Sequence, residues 1–116
     1  MGDVERDEMM RWLLLRQGRC PCGQKHELTD VHHVFVRRVR KGMGELYHPA
    51  NCVAANNACH LAEGWEFQVN SALICFAHSG GPDAVMDWLE TLPLRVKHLP
   101  SHFWEARERW YRGERF

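Results

Sequence analysis

The first part of the chain has the apolar spacing of an amphipathic helix, with repeats of three and four residues. The apolar residues at this spacing are Met9, Met10, Trp12, Leu13 and Leu14. Asp3 can cap the helix and Gly18 can end it. The pattern therefore predicts a first helix that runs to about Arg16 and turns its apolar side to a core.

The second half of the chain predicts three more helices. Trp65 to Ala77 is largely apolar and is typical of a buried helix. The Gly80–Asp83 segment, Gly-Gly-Pro-Asp, is a turn and restart signal, and a short helix with Val85 and Leu89 follows it. Ser101 can cap a last helix. An extended linker is predicted between two prolines, Pro93 and Pro100.

The middle of the chain predicts a hairpin followed by a helix. Residues 33–36 form a strand candidate, residues 37–44 a basic loop that contains glycine, and residues 45–48 the returning strand. A helix then begins between Asn56 and Ala58 and carries His60. The predicted fold class is α+β, with a small hairpin-and-helix core and additional flanking helices.

Length and composition indicate one soluble domain over residues 1–116: an N-terminal helix (1–18), a core (19–64) and a helical tail (65–116). Apolar residues make up 45% and charged residues 26% of the chain. No apolar run approaches the roughly 20 residues that span a bilayer, and the first residues are too acidic for a signal peptide. We therefore expect a cytoplasmic protein without a membrane partner, whose five cysteines are metal ligands or free thiols.

The net charge of zero hides a segregation of charge along the chain. Residues 16–41 contain seven basic and two acidic residues, whereas residues 42–94 contain six acidic residues and no Lys or Arg. Residues 95–116 are basic again. Ordinary surface variation is one interpretation, and a basic edge for a phosphate backbone is the other.

Three histidines and one asparagine carry the candidate chemistry: His32, His33, Asn51 and His60. Hydrolysis of a phosphodiester needs a base for water, a cation for the phosphate charge, and rigid positioning. A neutral imidazole suits the first task, and two imidazoles can hold a divalent ion. The amide of Asn51 can fix the hairpin loop by bonding to backbone groups.

The stretch from Cys20 to Ala62 resembles the HNH, or ββα-metal, endonuclease family, in particular its small phage-type members. The residues that carry the resemblance are Cys22-Gly23, Asp30-Val31-His32-His33, Asn51 and Ala58-Cys59-His60. It implies a ββα-metal core in which His33 is the general base, Asn51 the middle asparagine, and His32 and His60 the metal ligands. One Mg²⁺ or Mn²⁺ is implied, with Ni²⁺ or Zn²⁺ as alternatives.

The same resemblance implies DNA as the partner and cleavage that leaves a 5′-phosphate. For a phage-encoded chain, the compartment is the host cytoplasm. A domain this small offers little surface for reading a long target, so specificity would need a homodimer or a larger protein partner.

The cysteines depart from the two Cys-x-x-Cys pairs that hold a structural zinc in many relatives. The first pair is compressed to Cys20-Pro21-Cys22, and Asn56 stands where a cysteine of the second pair is expected. A structural Zn²⁺ held by Cys20, Cys22 and Cys59, with His26 or Cys52 as fourth ligand, is one interpretation. Packed free thiols are the other.

The basic loop before Asn51 is a candidate nucleic-acid contact. Its residues Arg37, Arg38, Arg40 and Lys41 either hold the phosphates that flank the scissile bond or form a solvated hairpin tip. The rival function is a non-catalytic zinc-knuckle module that binds nucleic acid through a degenerate HNH site. A purely structural metalloprotein is a third, weaker alternative.

Overall fold

A computed structural model describes residues 2–36, 46–62, 64–92 and 99–116. These residues form five helices and a two-stranded antiparallel sheet, which agrees with the expected α+β class. The elements are α1 (Gly2–Arg16), β1 (Asp30–His33), β2 (Cys52–Ala55), α2 (Asn57–Leu61), α3 (Trp65–Ser79), α4 (Pro82–Thr91) and α5 (Ser101–Tyr111).

Helix α1 covers one face of the sheet. Met9 and Leu13 are buried against Cys52 and Ala54 of β2, as the apolar spacing predicts. Leu14 is 51% exposed, so its predicted place on the apolar side is wrong. In a helix that contacts the core along one stripe, the residue next to a buried position is turned by about 100° toward solvent.

The strands lie elsewhere than the alternation of apolar residues predicts. Strand β1 pairs with β2 from Asp30 opposite Ala55 to His33 opposite Cys52. The chain therefore leaves the sheet where the strand over residues 33–36 was expected to begin. The returning strand is not residues 45–48: of these the structure describes 46–48, which precede a turn, and β2 begins only at Cys52.

Helices α3, α4 and α5 form the second layer. The main apolar cluster includes Phe76 of α3 and Phe103 of α5, whose rings meet edge to face with centroids 5.4 Å apart. Truncating a buried phenylalanine costs about 3–5 kcal/mol, so this contact joins α3 firmly to α5. Ser101 is the first residue of α5 and Pro100 is its N-cap, one position before the predicted cap.

The predicted turn between α3 and α4 depends on two glycines. Gly80 ends α3 in the left-handed conformation (φ 97°), and its N–H bonds to the carbonyl of Phe76. Gly81 has φ 123°, and a Cβ there would lie 3.5 Å from the indole nitrogen of Trp110. A side chain would be strained at both positions, which explains why two glycines are needed before Pro82.

Candidate functional site

His32 and His60 come together on the face of the sheet opposite α1. His32 is in β1 and His60 is in α2, and their ring centroids are 4.6 Å apart. His32 is only 2% exposed and also contacts the ring of Phe67. The short helix α2 begins where the sequence predicts. Its N-cap is Asn56, whose side chain accepts a hydrogen bond from the N–H of Ala58.

Asp30 holds the imidazole of His60 from behind. Its Oδ2 lies 3.5 Å from Nδ1 of His60, and both side chains are about one third exposed. A carboxylate can only accept a hydrogen bond, so Nδ1 carries the ring proton and Nε2 keeps its lone pair. Carboxylates behind metal-binding histidines fix the ring and its tautomer in the same way.

The Asp30–His60 pair opens onto a cavity of about 450 Å³. Helix α1 forms one wall with Arg6, Asp7 and Met10, and the start of β1 forms another. The cavity therefore brings a positive and a negative side chain of α1 to the Asp30–His60 pair, whereas the buried His32 is not among the residues that line it. It is large enough to admit a phosphate group together with water.

His33 lies on the opposite side of the strand from His32, as alternation requires. Its ring packs edge to face on Tyr47 at 4.8 Å, and its Nδ1 lies 3.5 Å from the sulfur of Cys52. Burial raises the pKa of the Cys52 thiol to about 12, and this thiol donates to the carbonyl of Leu46. The sulfur therefore accepts from Nδ1–H of His33, which leaves Nε2 as the basic atom of the ring.

Asn51 is completely buried and makes the backbone contacts that the sequence predicts. Its Oδ1 accepts from the N–H groups of Phe35 and Val36, each at 2.9 Å. Its Nδ2 donates to the carbonyls of Val36 and Leu46, at 3.0 and 3.1 Å. Three of these four backbone groups belong to residues 34–36, so they bond to the Asn51 side chain and not to a second strand.

Four residues bring ligand atoms to one point beside α2: Cys20, Cys22, His26 and Cys59. These atoms all lie within 4.8 Å of one another. Nδ1 of His26 is 3.4 Å from the sulfur of Cys22 and 3.2 Å from that of Cys59. A tetrahedral Zn²⁺ with Zn–S of about 2.3 Å and Zn–N of about 2.1 Å requires ligand separations of roughly 3.5–3.8 Å. This set can therefore hold a metal ion such as zinc after small shifts.

The thiols of this cluster shift one another's pKa through hydrogen bonds. Burial acts to raise the pKa of Cys22, but hydrogen bonds with the Gln24 backbone and with the Cys59 and Cys20 thiols outweigh it, and the pKa is lowered. The hydrogen bond with Cys22 is the main cause that raises the pKa of Cys59 to about 12. The thiol of Cys22 therefore ionises before that of Cys59, and thiolate is the form that binds metal.

The structure resolves the fourth position in favour of His26. Cys52, the other candidate, is engaged with His33 and Leu46. The cluster of Cys20, Cys22, His26 and Cys59 is the only group of three or more such ligands found among the described residues. The His32–His60 pair is a separate, two-ligand arrangement.

The outcome for the other sequence candidates is mixed. Arg37, Arg38, Arg40 and Lys41 lie outside the described residues. Asp30, which sequence reasoning did not single out as a site residue, joins His60; its only signal was its place two residues before His32.

No helix in the described ranges is long and apolar enough to cross a bilayer.

Comparison with known proteins adds no relative. No protein-family model, curated protein or solved structure matches this chain. The functional argument therefore depends on the geometry of the described residues.

Proposed function

We propose that this chain is a metal-dependent endonuclease of the HNH type that hydrolyses DNA phosphodiester bonds. The observation that carries the proposal is the contact of His32 with His60, together with the cavity that Asp30 and His60 both line. Two neutral imidazoles with a supporting carboxylate are a suitable partial ligand set for a divalent ion that keeps open positions for water and phosphate. His32 is buried, so an ion would be reached from the cavity, past His60.

In this proposal each residue has one task. His33 would take the proton of a water molecule on Nε2, the atom that its contact with Cys52 leaves basic; its ring lies on the face of β1 opposite His32 and does not line the cavity at His60. The water oxygen forms a bond to phosphorus as the P–O3′ bond breaks, which gives a 5′-phosphate and a 3′-hydroxyl after protonation. A bound Mg²⁺ or Mn²⁺ would supply charge neutralisation at the phosphate. Asn51 fixes the turn that carries His33 and Val34.

Metal-dependent nicking of supercoiled plasmid is the direct test. We expect nicking with Mg²⁺ or Mn²⁺ and none with EDTA. His33→Ala should abolish cutting and leave DNA binding and divalent-ion affinity within about twofold of the wild type, because His33 is not a metal ligand in this arrangement. Full activity of His33→Ala would refute its role.

The rival proposal is a zinc-knuckle module that binds nucleic acid without cutting it. The specific observation in its favour is the cluster of Cys20, Cys22, His26 and Cys59, which is a complete four-ligand set. The two proposals differ in one result: DNA binding without nicking under any divalent ion supports the module and contradicts the nuclease.

A further inference from the structure

A second cavity, of about 320 Å³, lies where the end of α1 and the segment after it meet the end of α3. Three cationic side chains line it: Arg16, Arg19 and Lys25. His78 of α3 lines it as well, beside the apolar surface of Ile74 and Ala77. None of the described side chains that form its wall is acidic, although the chain as a whole is neutral.

Both arginines are held in place by an aromatic ring and a backbone carbonyl. Arg16 lies 4.1 Å over the ring of Trp12 and donates to the Trp12 carbonyl at 3.1 Å. Arg19 lies 4.2 Å over the ring of Phe116 and donates to the Gly23 carbonyl. A guanidinium has five N–H donors, and each of these arginines uses one of them on its carbonyl. Such fixed guanidinium groups lose little entropy when they bind an anion.

The imidazole of His78 lies in the same cavity as the two arginines. Its Nδ1 is buried and has no hydrogen-bond partner among the described residues, and its ring packs on the edge of Trp12 at 5.0 Å. Burial, and to a smaller degree the positive charge of Arg16, lowers the pKa of His78. The charge of Arg16 thus acts on this ring, and none of the described side chains that line the cavity with it is acidic.

We propose that this cavity binds a phosphate group of the DNA backbone and is an anchoring point separate from the two-histidine pair. The choice of DNA as the source of the phosphate rests on the proposed function. Helix α1 contributes to both cavities: Arg6 lines the cavity at His60, and Arg16 lines the cavity proposed here as the phosphate anchor. Ten residues of helix span about 15 Å, which is roughly the length of four to five base pairs of a duplex.

The test measures DNA binding of zinc-loaded protein without added Mg²⁺ or Mn²⁺ on a His33→Ala background, so that cleavage does not interfere. The cavity variant is Arg16→Gln/Arg19→Gln. The matched control is Arg107→Gln/Arg112→Gln, which removes the same charge from α5 and its end. Loss of one phosphate contact should reduce the slope of log K against log salt by about 0.9. We expect that reduction in the cavity variant and not in the control; equal slopes in the two variants would overturn the proposal.

Folding and charge are controlled separately. Both variants must keep the thermal midpoint and the zinc content of the parent protein. Arg16→Lys/Arg19→Lys retains the charge but not the planar fork, so we expect its affinity to fall between the parent and the Gln variant. An affinity equal to that of the Gln variant, with folding intact, would contradict a contact based on charge.

The NMR titration of His78 distinguishes a DNA phosphate from a free one. The charged groups that line the cavity with it are Arg16, Arg19 and Lys25. A stoichiometric duplex should raise the pKa of His78, because a phosphate neutralises these charges, and the Gln variant should lose the rise. A rise with inorganic phosphate but none with the duplex would show a free-phosphate pocket and overturn the anchor.

The results also separate this inference from the proposed function. The parent protein can nick DNA while the cavity variant keeps the same slope of log K against log salt as the parent. That result contradicts only the proposed phosphate anchor. The salt slope can instead fall in the cavity variant while the parent protein cleaves DNA with none of the divalent ions tested. That result contradicts only the nuclease.

Discussion

Asp30 and His60 are 30 positions apart in the sequence, yet Oδ2 of one lies 3.5 Å from Nδ1 of the other. The contact joins the first residue of β1 to the helix that follows β2. It sets the orientation of the His60 ring and leaves Nε2 for a metal ion. A histidine held from behind binds metal more tightly because the ring needs no reorientation and is more basic.

Asp30→Asn should therefore weaken divalent-ion binding by about 10- to 100-fold. The amide keeps the size of the side chain and one acceptor oxygen but removes the negative charge. The affinity for Mn²⁺ is measured by calorimetry, and the thermal midpoint of the metal-free protein should change little because the pair is partly exposed.

Asp7→Asn is the matched control for this prediction, since Asp7 lines the same cavity without contacting His60 in the described structure. Its effect on Mn²⁺ affinity should be small. Equal losses in the two variants would show that the charge of the cavity matters and that the orientation of His60 does not.

The cysteine cluster predicts one Zn²⁺ per chain. Cys22→Ser should reduce the zinc content measured by mass spectrometry, and a chelator should lower the thermal midpoint of the wild type. The reason is that Cys20 and Cys22 precede the sheet and Cys59 follows it, so that the ion ties two distant segments together.

Cys52→Ala controls for the loss of a thiol outside the cluster. Cys52 is buried, so this variant should lose about 1 kcal/mol of stability but still bind one zinc. A Cys22→Ser protein with full zinc content would be inconsistent with the assigned ligand set.

Asn51 can be tested as a structural residue. Asn51→Ala removes the partners of four backbone groups in the turn after β1. A buried group without a partner costs about 1–3 kcal/mol, and partial access of water limits the total to about 2–4 kcal/mol. Urea denaturation measures the loss.

Asn70→Ala provides the comparison, because Asn70 donates one hydrogen bond, to the carbonyl of Pro21. It should cost about 1 kcal/mol. If Asn51→Ala costs no more than Asn70→Ala, the network around Asn51 does not hold the turn.

The sequence predicted the elements that depend on local signals. The start of α2 follows from the asparagines before Ala58, and the glycine pair predicts the break between α3 and α4. The strand positions were wrong because side-chain bonds to the backbone, here those of Asn51, do not appear in a pattern of apolar residues. A turn and a strand with similar composition differ only in where their N–H groups bond.

The candidate site was predictable to a similar extent. The helix expected to begin between Asn56 and Ala58 carries His60, and the resemblance implied that His60 and His32 lie together, as their rings do. The choice of His26 over Cys52 depends on tertiary contacts, those of Cys52 with His33 and Leu46, which local spacing does not give. The role of Asp30 depends on the register of β1 against β2, and no sequence signal gave that register.

His48 gives the turn before β2 a pH dependence. Its Nδ1 accepts from the N–H of Ala50 at 3.0 Å, and its carbonyl accepts from the N–H of Asn51. Burial lowers the pKa of His48, and its ring stacks on Trp88. A protonated ring has no acceptor for Ala50, so the folded protein favours neutral His48.

Because the pKa of His48 is lower in the folded state, the unfolded chain takes up its proton first as the pH falls. The stability that neutral His48 contributes is complete above the unfolded pKa of about 6.5 and is lost as the pH falls through the lower folded value. His48→Asn retains an acceptor for Ala50 but does not titrate. Urea unfolding of the zinc-saturated proteins at pH 7.5 and 5.5 should therefore show a smaller loss of stability for His48→Asn than for the wild type. An equal loss would assign the acid sensitivity to other groups, because only the titration of His48 differs between the two proteins.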